Sequence, residues 1–204
     1  MNLMLKVKFF RHLSIPKFIL LWFLFSFVIF LRQFSALLVP TLFAEDGRVF
    51  SIILSDGFFE AVSYRPDYWF FWHAALTQIS IWISNILSGN SIEYVAQVSA
   101  LTSTLLFGFV GSSFALFLFK LCNSYASILF SAYYIFMPLG YSSNEIFGRL
   151  LQIHFFIPLL VISALFFRER CNCKLSLVID ILLLSLAATA PINFFIVVFY
   201  INHL

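Results

Sequence analysis

The chain has 204 residues, of which 62% are hydrophobic and only 10% are charged, and its formal net charge is +3. Soluble domains are about 45–50% apolar and about 25% charged, so this composition excludes a water-soluble globular fold. The scattered basic residues also argue against nucleic acid as a partner. Because a membrane-spanning helix needs about 20 apolar residues, the sequence predicts an all-α, polytopic transmembrane bundle of about 5–6 segments. We treat residues 1–204 as a single transmembrane domain.

The first predicted helix covers residues 17–40 and follows a basic tail at residues 1–16. That tail carries Lys6, Lys8 and Arg11. Positive charge beside a first helix holds that flank in the cytoplasm. The sequence therefore predicts a cytoplasmic amino terminus and a first helix that stays in a multi-pass membrane protein.

An acidic loop is predicted at residues 41–68, on the external side of the membrane. It contains most of the acids of the chain: Glu45, Asp46, Asp56, Glu60 and Asp67. Within this loop, residues 49–54 form a short amphipathic stretch that ends at Asp56 and Gly57. Such a stretch is typical of a helix lying in the membrane interface.

Five apolar segments follow the loop, and their topology has two solutions. The segments are residues 69–87, 94–119, 125–139, 150–167 and 175–201. If every segment crosses the bilayer, Arg168, Arg170 and Lys174 lie outside, against the positive-inside tendency. If residues 69–87 are re-entrant or packed along the bundle, these cations lie inside with Lys120. We favour the second solution, which places residues 41–68 and 145–149 on the same external face.

Glu45 and Asp46 are the candidate catalytic acids. Adjacent carboxylates leave the chain in different directions, so one can face a substrate hydroxyl or a metal ion while the other binds its neighbours. A carboxylate can act as a general base towards an attacking hydroxyl. The alternative interpretation is that Asp46 simply caps a helix beginning at Gly47.

The candidate substrate-binding residues lie in two further segments. Glu145, Arg149 and Gln152 share one helical stripe, because offsets of four and seven residues return to the same face. An arginine there suits a phosphate, although the pair could equally be an ion pair at a helix end. Arg65 and His73 follow the acidic loop, where His73 is either a ligand for substrate or an ordinary interfacial histidine. No P-loop, HExxH or paired CxxC motif is present, so the sequence indicates no ATP or zinc chemistry.

In their order along the chain, these motifs resemble the amino-terminal part of bacterial polytopic GT-C glycosyltransferases. The resemblance is carried by residues 43–50 (Phe-Ala-Glu-Asp-Gly-Arg-Val-Phe), residues 65–68 with His73, residues 145–149 and residues 188–193. It implies a bacterial inner-membrane enzyme that transfers a sugar from a polyprenyl-phosphate carrier to a glycan or lipid acceptor.

The resemblance also implies roles for individual residues. It places the first-loop base, or an acid that helps hold a divalent cation, on Asp46 or Glu45, and the carrier-phosphate contact on Arg149 or Arg65. The family usually has Asn where Arg149 stands, and its members carry many more helices, so we expect an incomplete chain. The competing hypotheses are a transporter or flippase-like protein without catalytic activity, whose charges would recur at mid-membrane in several helices, and a small structural membrane protein.

Overall fold

The computed structural model describes residues 15–32, 34, 38, 42, 44–64, 70–89, 91–122, 124–136, 150, 156–168 and 173–201. Within these residues the regular structure is entirely helical, which confirms the all-α prediction. The helices are α1 (Ile15–Arg32), α2 (Ala44–Ser55), α3 (Phe58–Val62), α4 (Phe71–Ser88), α5 (Val95–Leu121), α6 (Ser124–Phe136), α7 (Ile157–Arg168), α8 (Cys173–Ala187) and α9 (Pro191–Ile201).

Among the described residues, one helix is long and apolar enough to cross a bilayer by length and composition. This is α5, with 27 residues. The apolar helices α6 and α7 have 13 and 12 residues. At 1.5 Å per residue they reach only about 20 Å, less than the roughly 30 Å of a hydrocarbon core. The predicted set of five or six spans therefore remains a prediction.

Helices α4 and α5 are joined by a tight turn that serine side chains hold in place. Gly89 ends α4 with φ 65°, a left-handed conformation that favours glycine. The Ser84 hydroxyl accepts a hydrogen bond from the Tyr94 backbone N–H at 3.1 Å. The Ser88 hydroxyl donates to the Ser91 carbonyl at 2.6 Å. These bonds satisfy backbone groups that the turn leaves open, and α4 then packs against α5.

Helix α5 is central and contacts α1, α4, α6 and α7. Its closest neighbour is α1: a Cβ added at Gly108 would lie 2.0 Å from the Ser26 hydroxyl oxygen and 2.8 Å from the Ser26 nitrogen. The Trp22 indole N–H donates to the Leu105 carbonyl at 2.7 Å. Small residues at such crossings let helix backbones approach closely, as is common in membrane bundles.

The directions of α6 and α7 follow from their contacts along α5. In α6, Ser127 donates to the Ala115 carbonyl at 2.8 Å and Tyr134 donates to the Phe107 carbonyl at 3.0 Å. Residue numbers therefore rise along one helix as they fall along the other, so α5 and α6 are antiparallel.

In contrast, α7 runs parallel to α5. The rings of Phe156 and Phe107 lie 5.0 Å apart, and those of Phe166 and Phe117 lie 5.1 Å apart, so both numbers rise together. The carboxyl ends of α5 and α7 consequently lie towards the same end of the bundle. Lys120 and Arg168 share that end, as both predicted topologies require.

The predicted last segment, residues 175–201, is two helices rather than one continuous span. The chain leaves helical geometry between Ala187 and Pro191, because proline provides no N–H for a preceding helical turn. Both α8 and α9 pack against α7 around a cluster that includes Val161, Leu183 and Val197. The last apolar segment is therefore broken just before Pro191.

Candidate functional site

The first-loop acids lie on a helix that begins earlier than the sequence predicted. Helix α2 starts at Ala44, so Asp46 lies within its first turn, and the predicted stretch at residues 49–54 lies inside this helix. The interpretation of Asp46 as the cap of a helix starting at Gly47 is therefore wrong. Acidic residues in a first turn are favourable, because the amino end of a helix carries partial positive charge.

The segment after α2 is also helical and folds back on α4. Gly57 adopts φ 99°, which ends α2 and allows α3 to begin at Phe58. Val49 and Ala61 are fully buried together with Ala74 of α4, in one apolar cluster. Much of the predicted acidic loop is thus a packed helical unit whose position against α4 is fixed by apolar contacts.

This packing brings Asp46 beside His73. The Nε2 atom of His73 lies 3.0 Å from Oδ1 of Asp46, and the two side chains are 6% and 10% exposed. The ring of Phe70 stacks on the imidazole with centroids 4.6 Å apart and an interplanar angle of 20°. A carboxylate and an imidazole are therefore held together within an apolar surrounding, where electrostatic interactions are stronger than in water.

The two ring nitrogens of His73 have different surroundings. The Nε2 atom lies 3.0 Å from Oδ1 of Asp46, but this contact does not meet hydrogen-bond geometry. The Nδ1 atom is buried and has no hydrogen-bond partner among the described residues. Unmet buried polar atoms are uncommon in native proteins and often mark functional sites.

The amino end of α4 contacts helices in the carboxyl half of the chain. The indole N–H of Trp72, next to His73, donates to the Ser185 hydroxyl of α8 at 3.3 Å. Trp72 also packs against the apolar cluster formed by α7, α8 and α9. The site is therefore supported from both sides: α2 and α3 contact one side of α4, and α8 contacts another.

The remaining predicted site residues are not placed by the structure. Glu45 belongs to α2, but its side chain lies outside the described part of the chain. Four predicted substrate-binding residues also lie outside it: Arg65, Glu145, Arg149 and Gln152. Of the predicted set, the structure brings together Asp46 and His73. Sequence reasoning missed Phe70, which immediately precedes α4 and stacks on His73.

A divalent cation, which the family resemblance allows, would find two ligands here. The atoms Oδ1 of Asp46 and Nε2 of His73 are suitable donors for a transition metal. No group of three or more His, Cys, Asp or Glu side chains is found among the residues that the structure describes. Because two ligands do not define a metal site, we derive no chemical step through a metal.

No protein-family model matches this chain, and no curated protein or solved structure matches it.

Proposed function

We propose that this chain is a bacterial inner-membrane glycosyltransferase, or its amino-terminal part. It transfers a sugar from a polyprenyl-phosphate carrier to a glycan or lipid acceptor on the external face. The observation that carries the proposal is the buried carboxylate of Asp46, held 3.0 Å from His73 at the start of the first-loop helix. The order of motifs along the chain supports the substrate class.

The exterior of the helices supports a bilayer as the surrounding medium. Large apolar side chains are exposed on successive turns of several helices, where a protein in water would hide them. Examples, with exposures from 54% to 71%, are Leu20, Phe23, Phe27, Leu129, Tyr133, Leu177, Leu184, Phe194 and Phe199. Serines and glycines instead occupy the crossings between helices, as they do in membrane bundles. We infer that several of these helices are embedded in lipid as a polytopic bundle.

The proposed reaction needs one base and one leaving group. Asp46 accepts the proton of the acceptor hydroxyl while that oxygen bonds to the anomeric carbon of the sugar. The bond between the anomeric carbon and the carrier phosphate breaks, and polyprenyl phosphate leaves with the bonding electrons. Attack from the side opposite to the leaving group inverts the anomeric configuration. Arg149 or Arg65 is proposed to bind the carrier phosphate, since a guanidinium can form two parallel hydrogen bonds to it.

A transporter is the second candidate, and one observation favours it. Helices α8 and α9 form a broken pair, with the fully buried Asn193 at the break. Transporters often build their substrate sites from discontinuous helices. A transporter would move its substrate across the bilayer without forming a glycosidic bond, so measuring bond formation separates the two functions.

The test uses the whole protein in liposomes with a radiolabelled polyprenyl-phosphate sugar and a series of envelope acceptors. Wild-type protein should form a labelled glycosidic product. Asp46→Asn should reduce transfer by about 10² to 10⁴-fold, the usual contribution of a general base. Asn has nearly the same shape as Asp, and the lost charge interaction with the helix amino end contributes only about 0.3–1 kcal/mol, so folding should be preserved.

The matched control is Asp56→Asn, because Asp56 is an exposed acid just after the same helix and hydrogen-bonds Ser55. This variant should transfer normally. If Asp46→Asn also transfers normally, Asp46 is not the base, and Glu45 becomes the first-loop candidate. If wild-type protein moves the labelled lipid across the bilayer without forming a product, the transporter function replaces the transferase.

A further inference from the structure

The sequence allows His73 to be either a ligand for substrate or an ordinary interfacial histidine, and its surroundings in the structure indicate a third role. We propose that His73 is a positioning residue that acts on the reaction through Asp46 and does not touch a substrate. This inference rests on the proposed function and assigns one part of its machinery.

Asp46 and His73 are similarly buried, so the packing around the imidazole, and not its overall exposure, argues against direct substrate contact. His73 is 6% exposed, and both ring nitrogens are shielded from solvent. One ring face is covered by Phe70, which is itself 3% exposed. The next residue, Ala74, is completely buried. A substrate would have to displace packed apolar groups to reach either nitrogen, whereas Asp46 already lies beside one of them.

The hydrogen-bonding capacity of the ring favours a proton on Nε2. Nδ1 has no partner among the described residues, so a proton on that atom would be buried without an acceptor there, which favours the other tautomer. A neutral ring with its proton on Nε2 presents a donor to the Asp46 carboxylate, 3.0 Å away. In unliganded enzymes such contacts are often poorly aligned and become linear when substrate binds.

The consequence for the reaction concerns the orientation of the base. A donor on Oδ1 restricts rotation of the carboxylate that receives the proton of the acceptor hydroxyl. The helix that carries this donor is fixed by the bond from Trp72 to Ser185. Residues that orient a reacting group in this way commonly change the rate without changing substrate affinity.

The test is a double-mutant cycle on transfer by the whole protein in liposomes. His73→Leu should lower kcat by about 10 to 100-fold, the range for residues that orient a functional group. The KM values for sugar donor and acceptor should stay within about twofold. In the Asp46→Asn background, His73→Leu should cause no further loss beyond about twofold, because its effect passes through the missing carboxylate.

Two additional variants separate positioning from packing. His73→Gln keeps a donor and should retain more activity than His73→Leu. Thr77→Val alters a side chain one turn further along α4 that is 2% exposed, and should leave kcat near wild type. If His73→Leu is poorly folded, as judged by size-exclusion chromatography, the comparison is made with His73→Gln in both backgrounds.

Two results would overturn the inference. One is a raised KM at unchanged kcat, and the other is a full additional loss in the Asp46→Asn background, since both indicate direct substrate contact. Failure of the proposed function is recognised separately, because wild-type protein would then form no product before any substitution is made. That result overturns the role of His73 in transfer as well.

Discussion

The side-chain amide of Asn193 donates to the hydroxyl oxygen of Thr189 at 2.9 Å, across the break between α8 and α9. The same hydroxyl donates to the carbonyl of Leu186 at 2.6 Å. Thr189 is 5% exposed and Asn193 is completely buried. The hydroxyl therefore gives the buried Asn193 amide an acceptor, and it adds a second hydrogen bond to the Leu186 carbonyl, which also accepts from the Thr189 backbone N–H at 3.1 Å.

Thr189→Val is expected to destabilise the protein, because valine keeps the shape of threonine but loses both hydrogen bonds. Leaving buried polar groups without partners costs about 1–3 kcal/mol. The matched control is Thr189→Ser, which keeps the hydroxyl and should lie closer to wild type. The measurement is thermal unfolding of purified protein in detergent. Equal unfolding temperatures for the valine and serine variants would show that the hydroxyl does not stabilise the break.

Gly108→Ala should destabilise the contact between α1 and α5, although alanine is the better helix former. Replacing Gly by Ala within a helix normally gains about 1 kcal/mol. Here the new Cβ would lie 2.0 Å from the Ser26 hydroxyl oxygen and 2.8 Å from the Ser26 nitrogen. Overpacking costs about 1–3 kcal/mol, and the clash with backbone atoms places this case at the upper end.

A second substitution tests whether the hydroxyl or the backbone of Ser26 causes the clash. Ser26→Gly removes the hydroxyl but leaves the backbone nitrogen and Cα within 3.0 Å of the new Cβ. The double variant should therefore recover only part of the lost stability in the same thermal unfolding measurement. Complete recovery would mean that the hydroxyl alone limits the approach of the two helices.

The topology can be tested with Cys122, which is exposed just after α5. In a Cys171→Ser, Cys173→Ser background, the favoured topology places Cys122 inside, near Lys120. A membrane-impermeant maleimide should then label it only after the cells are permeabilised. Ser63→Cys, on an exposed position after α3, should be labelled in intact cells when Cys122 is replaced by serine. Labelling of Cys122 in intact cells would support the topology in which every segment crosses.

The basic residues that motivated this topology are not equivalent. Arg168 binds the Asp180 carboxylate through two nitrogens, with Nε 2.5 Å from Oδ1 and Nη2 3.2 Å from Oδ2. Both side chains are partly exposed. This ion pair does not weaken the topology prediction, because the positive-inside tendency depends on the number of Lys and Arg residues and not on net charge.

Apolar runs predicted the existence of most helices, because a long run without charges must be buried by protein or lipid. Boundaries were harder, as α2 shows: an acid followed by glycine indicated a start near Gly47, whereas the helix begins at Ala44. Val49 and Ala61 make apolar contacts with α4 that hold the acidic segment against the bundle. The spacing of residues along the sequence does not predict these contacts.

Rules based on helical offsets also could not predict the contact between Asp46 and His73. These rules relate residues on one helix, and the two residues lie on different helices joined by a long connection. Pro191 did indicate a disturbance in the last segment, because proline cannot continue a helix without losing a hydrogen bond. It did not indicate that Thr189 and Asn193 would satisfy the resulting break, since either residue could have faced another helix.

The bond from Trp72 to Ser185 joins residues 113 positions apart. During synthesis, α2, α3 and α4 leave the ribosome well before α8 exists. The amino end of α4, which carries His73, therefore lacks one of its supports until α8 has been inserted beside it. Before that point the Asp46 and His73 pair is held by α2, by α3 and by the packing of α4 against α5, so the fully supported site depends on completion of a helix encoded much later in the chain.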